Sequence, residues 1–136
     1  MRKAILMMLI VVSNSAMAEW VKFSSVGNQT NYVNLDTIHK SGNKVKMWSL
    51  FDYKTAREVT GVPTYMSVQM QDEYDCKEEL SRPLYAVLRS GNMGEGKPVV
   101  TVTDSGKWEP HPPESIREDL WKIACGKRDE SGSHFK

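Results

Sequence analysis

The stretch Thr64–Ser90, TYMSVQMQDEYDCKEELSRPLYAVLRS, holds two alternating runs around a charged break. In the first, Met66, Val68, Met70, Asp72, Tyr74 and Cys76 share one side, because successive strand side chains point to opposite faces. In the second, Leu80, Arg82, Leu84, Ala86 and Leu88 share a side. Two such runs around a short polar turn predict an antiparallel hairpin. Parity then selects the connection. A three-residue turn, Lys77-Glu78-Glu79, opposes Cys76 to Leu80, Met70 to Ala86 and Val68 to Leu88. A two-residue turn would send one apolar face to water. In the chosen register Asp72 lies diagonal to Arg82 on the mostly apolar side, which predicts a structural ion pair between them. Pro83 has no N–H and must stand at a bulge or a free edge.

The segments around this hairpin extend the same pattern. EWVKFSS, NYVNLDTI, VKMWSLFDY and VVTVTD read as strands, with Gly42-Asn43 a two-residue hairpin turn between the second and third. The stretch SGNMGEGKP, residues 90–98, has three glycines and a proline and is expected to be the most mobile loop. A proline-stiffened approach, SGKWEPHPP, then leads to a helix from about Ser115 to Cys125. Ser115 with Glu118 suits a capping box, and Gly126 suits the position just past the helix end. Ile116, Leu120, Ile123 and Ala124 form one apolar stripe, with Trp121 beside it, at the rim of a helix–sheet groove. The fold class is therefore α+β: a single antiparallel sheet of about six strands with a C-terminal helix packed on one face.

The start, MRKAILMMLIVVSNSAMAEW, has a basic beginning, an apolar run of about nine residues and a small-residue cut site at Ala16-Met17-Ala18. That run falls short of the roughly 20 residues needed to span a bilayer. Residues 1–18 are expected to be a cleaved signal peptide, 19–126 one folded domain and 127–136 a flexible tail. No transmembrane segment is expected after cleavage. Losing Arg2 and Lys3 leaves 16 basic against 17 acidic residues, a net charge near −1. A nucleic-acid partner would call for a strongly basic face, so none is expected.

Export decides the cysteines. In an oxidising compartment Cys76 and Cys125 are expected to form a disulfide that ties the helix to the fourth strand. Its loop of about 50 residues would contribute on the order of 4 kcal/mol. A nucleophile would need a free thiol, and a metal site would need more ligands than two cysteines and scattered histidines offer.

Little else suggests chemistry. Alternation sends Asp72 to one face and Glu73 with Asp75 to the other, so these carboxylates do not share a site. His39, His111 and His134 lie in a turn, a proline-rich loop and the tail, with no metal-ligand spacing. The GNMGEGK loop lacks the phosphate-binding pattern and no helix follows it. Catalytic residues, bound metal and cofactors are all expected to be absent.

The segments AEWVKFSS, NYVNLDTI, KVKMWSLFDY, SVQMQDEYDCKEELSRPLYAV, WEPHPPES and LWKIACG together resemble the surface-adhesin protein E family of Gram-negative bacteria. The most specific part joins Tyr74-Asp75-Cys76 and the following Arg82 with the closing LWKIAC. The resemblance implies a six-stranded antiparallel sheet, a C-terminal helix across one face and the Cys76–Cys125 bond, with Arg82 in a structural role. It carries over no ligand-binding residue. It implies an exported, non-enzymatic, adhesin-like domain of the periplasm or cell surface that binds a protein partner such as a host matrix or serum protein. A sheet edge leaves room for a homodimer. The rival expectation is a periplasmic housekeeping or inhibitor-type module.

Overall fold

The computed structural model describes residues 19–127. The expected signal peptide and the tail from 128 onward lie outside the described residues. Seven strands form one antiparallel sheet: β1 (Val21–Val26), β2 (Gln29–Ser41), β3 (Lys44–Val59), β4 (Val62–Asp75), β5 (Leu80–Arg89), β6 (Pro98–Val102) and β7 (Glu109–Pro110). They follow one another as a meander, β1 to β6 in spatial order, and β7 returns to pair with β5. Short turns join β1 to β2, β2 to β3, β3 to β4 and β4 to β5, so these chain neighbours become neighbours in space, while the longer segment 90–97 joins β5 to β6. At the β2–β3 turn, for example, Ser41 opposes Lys44 and Gly42 takes φ 64°. A glycine in the first central position is what such a turn asks of the chain.

The one α-helix among the described residues, α1 (Ile116–Ala124), packs on one face of this sheet. Its start is fixed by Ser115, whose hydroxyl accepts from the Glu118 N–H at 3.2 Å. The Glu118 carboxylate reaches back to the N–H of Glu114 at 2.7 Å, one residue earlier than in a standard capping box. At the other end Gly126 donates to Ile123 and Lys127 donates to Lys122. Those two bonds form a Schellman closure, with Gly126 at φ 72°. Lys127, expected to begin the tail, therefore completes the helix cap.

The core lies between helix and sheet. Leu120, Trp121 and Ala124 meet Val33, Val45, Met47 and Tyr74, with Ile116 and Ile123 partly buried at the sides. Each large apolar side chain removed from water here contributes roughly 1.5–3 kcal/mol. Trp121 does not stand beside the stripe as expected; it is buried at its centre. Its indole N–H donates to the Asp75 carbonyl at 2.9 Å, so the ring can be buried without leaving a polar atom unpaired. One turn later Cys125 bonds to Cys76, with Cα atoms 5.6 Å apart.

The register of the decisive hairpin differs from expectation in one region. Asp75, not Cys76, opposes Leu80, so the connection has four residues. The Asp75 carboxylate accounts for this by accepting the N–H groups of Lys77 and Glu78, both at 3.0 Å. Glu79 closes the turn in the left-handed region at φ 58°. The one-residue slip is cancelled further along, where Gln71 opposes Tyr85 and Asp72 opposes Pro83, leaving Leu84 as a bulge. Beyond it Met70 faces Ala86 and Val68 faces Leu88, as expected. Pro83 sits beside this bulge. Its carbonyl accepts from Gly106 N–H at 2.9 Å on the outer side of β5, so the missing N–H costs no bond to β4. Gly106 must be small, since a Cβ there would come within 2.7 Å of the proline ring.

Candidate functional site

The helix closes one sheet face; the other is covered only at its ends, by Trp108 near Lys44 and by the glycine-rich loop near Asp52. Along β3 that second face presents Lys44, Lys46, Trp48, Leu50 and Asp52 in turn, because alternate residues share a side, and of these Leu50 is fully buried. Three regions follow from this order.

At the Lys44 end, charges are locked together. Arg82 donates to the Glu73 carboxylate through Nε at 3.0 Å and Nη2 at 2.9 Å. Its guanidinium also lies 4.8 Å from the Trp108 ring centre, with Lys44 on the same ring at 5.7 Å. Lys44 in turn reaches Asp75 at 3.8 Å. The expected Asp72–Arg82 pair is thus replaced by Glu73–Arg82. The physical reason is the four-residue turn: the slip between Asp75 and the Leu84 bulge rotates Arg82 onto the open face, opposite Glu73.

Asp72 stays on the helix side, opposite Met47 and near Tyr74. Burial raises its carboxyl to about 6, against the lowering pull of Arg117 and Tyr74. Burial also pushes the Tyr74 phenol far up, so it remains protonated. Tyr74 Oη has no partner that meets hydrogen-bond geometry, and Asp72 acts on it as a neighbouring charge. Arg117 is held by Ser81 Oγ at 3.0 Å and by Glu109 at 3.6 Å, which stitches the helix to β5 and β7. The three carboxylates of the DEYD run are divided between faces, as the alternation predicted. This cluster ties the helix to the sheet.

At the Asp52 end the glycine-rich loop folds back over the sheet. It was expected to be mobile, yet Asp52 accepts from Asn92 Nδ2 at 3.1 Å and from Met93 N at 2.6 Å. The hydroxyl of Ser67 donates to Gly91 O and accepts from Gly94 N. Sequence reading missed this latch because its acceptors lie some 40 and 27 positions away in the chain.

Between these ends lies an open cleft of about 330 Å³. Trp48 and Tyr85 form its walls, ring centres 5.6 Å apart and nearly perpendicular, with Trp20 as a third aromatic. Val87 lies at its base, and Asn34, Thr37, Gln69 and Arg89 supply the polar rim. Thr37 is fixed by bonds to Asn34 O and Trp48 N, at 2.6 and 3.0 Å. From the residues alone a groove is expected only beside Trp121, not here. The signal was there in Trp48 and Tyr85 on the polar parity of their strands. Among the described residues, no group of three His, Cys, Asp or Glu is arranged to hold a metal ion. No helix among them is long and apolar enough to cross a membrane.

A sequence model of the family described as surface-adhesin protein E matches residues 20–126. The chain belongs to this family. Its members are exported proteins of Gram-negative bacteria. No curated protein matches the sequence. Among solved structures, crystal form II of Haemophilus influenzae protein E superposes with a TM-score of 0.61 at 11% identity, covering 86% of this chain and 94% of that one. Protein E from non-typeable Haemophilus influenzae gives 0.58 at 12% identity, covering 92% and 87%. At that identity the likeness shows the shared fold alone, the antiparallel sheet with its closing helix.

Proposed function

We propose that this adhesin E chain is an exported, non-enzymatic binding domain that recognises a protein partner, such as a host matrix or serum protein, through its open sheet face. The observation that carries the reading is the asymmetry of the two faces. One is sealed by α1 over the core, while the other keeps three aromatic side chains, Trp20, Trp48 and Tyr85, around a cleft. Aromatic side chains with a polar rim are the usual anchors of recognition surfaces. The separation of Asp72 from Glu73 and Asp75 supports a role without acid–base catalysis. Pairing of two copies along the exposed β1 edge, where Val26 is 62% exposed, extends the same reading.

Two measurements test it. Antibody labelling of intact cells should detect the protein at the surface; strict confinement to the periplasm would favour the housekeeping or inhibitor role instead. Binding to immobilised matrix and serum proteins should fall when Trp48 and Tyr85 are replaced by Ala, and should be indifferent to Lys122→Ala on the helix. Equal binding by both variants would refute recognition through the open face.

A further inference from the structure

The rim of the open-face cleft contains one cation and no carboxylate. Arg89 forms no ion pair among the described residues, in contrast to Arg82, Arg117 and Lys44. Its Nε donates to the Gln69 amide oxygen at 2.9 Å and its Nη1 to Gly96 O at 3.3 Å, both neutral acceptors. These two bonds hold the guanidinium in place and, among the described residues, leave its charge without a carboxylate and its Nη2 without an acceptor. A fixed cation without a counter-charge is prepared for an anion, and its ordering cost has been met by the fold.

The walls specify the rest of the ligand. Trp48 and Tyr85 offer ring surfaces nearly at right angles, and the Asn34 side-chain amide stands at the edge with its N–H₂ unused among the described residues. The base of the cleft is built from interior strands β2 to β5 and is a sheet face, not an edge; where the β2–β3 ladder is interrupted between Asn34 and His39, the Thr37 hydroxyl takes the Trp48 N–H and the Asn34 carbonyl. An extended peptide could not add to the sheet there, so backbone pairing is closed to it. A compact ligand with a flat apolar face, several hydroxyls and one carboxylate uses every group present. The volume, about 330 Å³, lies at the small end of ligand sites, roughly 300–1,000 Å³.

We infer that the cleft between Trp48, Tyr85 and Arg89 binds an acidic pyranose, a uronic or sialic acid residue of a glycan, with its carboxylate on Arg89 and its ring face on the aromatic walls. This rests on the open-face reading above and narrows what that face holds: a sugar carried by the partner rather than its polypeptide.

The test is a titration of the purified full chain, followed by tryptophan fluorescence and NMR shifts, with N-acetylneuraminic acid, glucuronic acid, neutral methyl glucoside and a short acidic peptide. The expected result is saturable binding of an acidic sugar, roughly tenfold or more tighter than the neutral glycoside or the peptide. Arg89→Gln should remove the preference for charge, and Trp48→Leu should weaken all sugars, with melting temperature and circular dichroism recorded for each. Trp48 takes no part in the Arg89–Gly96 latch, so one variant stays interpretable if the other disturbs the loop. No saturable sugar binding, equal binding of the neutral glycoside, or tighter binding of the peptide would overturn the inference. Binding of a matrix protein that survives enzymatic removal of its glycans would overturn it too, while leaving the open-face reading intact.

Discussion

The indole N–H of Trp121 donates to the backbone carbonyl of Asp75, one residue before Cys76, while Cys125 bonds to Cys76 one helical turn away. A covalent and a polar tether thus join the end of the helix to the end of β4. They act differently. The disulfide restricts the unfolded chain, and the hydrogen bond lets a large ring enter the core without stranding its N–H. The same Asp75 uses its carboxylate to close the β4–β5 turn, so one residue shapes the register and anchors the helix.

Cys125→Ala should lower stability by about 4 kcal/mol, from a closed loop with a sequence separation of 49. For a domain of this size that is on the order of 15 °C in melting temperature. Thermal unfolding followed by circular dichroism, with and without reductant, checks it. The wild type under reductant should match the variant, and the sheet signal should persist at low temperature.

Glu73 and Arg82 should be coupled, and Asp72 and Arg82 should not. Double-mutant cycles with Glu73→Gln, Asp72→Asn and Arg82→Ala read this directly. The Glu73 cycle should return about 1 kcal/mol, as expected of a partly exposed two-point contact. The Asp72 cycle should return nearly nothing. The reverse outcome would mean that Arg82 lies on the helix side.

Asp72 sets a pH dependence of unusual sign. Its carboxyl stands at about 6 in the folded protein, above the ordinary 3.8. The native state therefore holds a proton that the unfolded chain has already released, and stability falls as pH rises from about 4 to just above 6. Asp72→Asn should remove this slope and stabilise the protein at pH 7 by roughly 1–3 kcal/mol. His111, held down by burial and by Arg117, contributes the opposite slope below 6.5. The difference between wild type and Asp72→Asn in denaturant titrations at pH 4, 5.5 and 7 isolates the carboxylate.

Gly126→Ala should cost about 1 kcal/mol even though a Cβ there meets nothing within 4 Å. The penalty is purely that of φ 72° in a residue with a side chain. Ser115→Ala, at the other helix end, should cost a similar amount through loss of the cap. Thermal melts of the two single variants and the double variant should show additive losses, since the sites lie a whole helix apart.

Whatever is local or periodic was legible in the residues alone: successive strands of one antiparallel sheet, the helix with its serine start and glycine stop, the division of Asp72 from Glu73 and Asp75, and the Cys76–Cys125 tie. Those features follow from side-chain alternation, helix capping and the chemistry of an oxidising compartment, all of which are written in short windows of residues. Tertiary structure decided what depends on registry between distant segments. Arg82 meets Glu73 because the Asp75 carboxylate holds a four-residue turn and a bulge at Leu84 later restores the phase. Trp121 is central because Asp75 offers it a carbonyl, and the glycine-rich loop is latched because Asp52 and Ser67 lie beneath it. The open cleft exists only because four strands bring Trp48, Tyr85 and Arg89 together. A one-residue shift reverses the face of every side chain it touches, and no short window of sequence records such a shift.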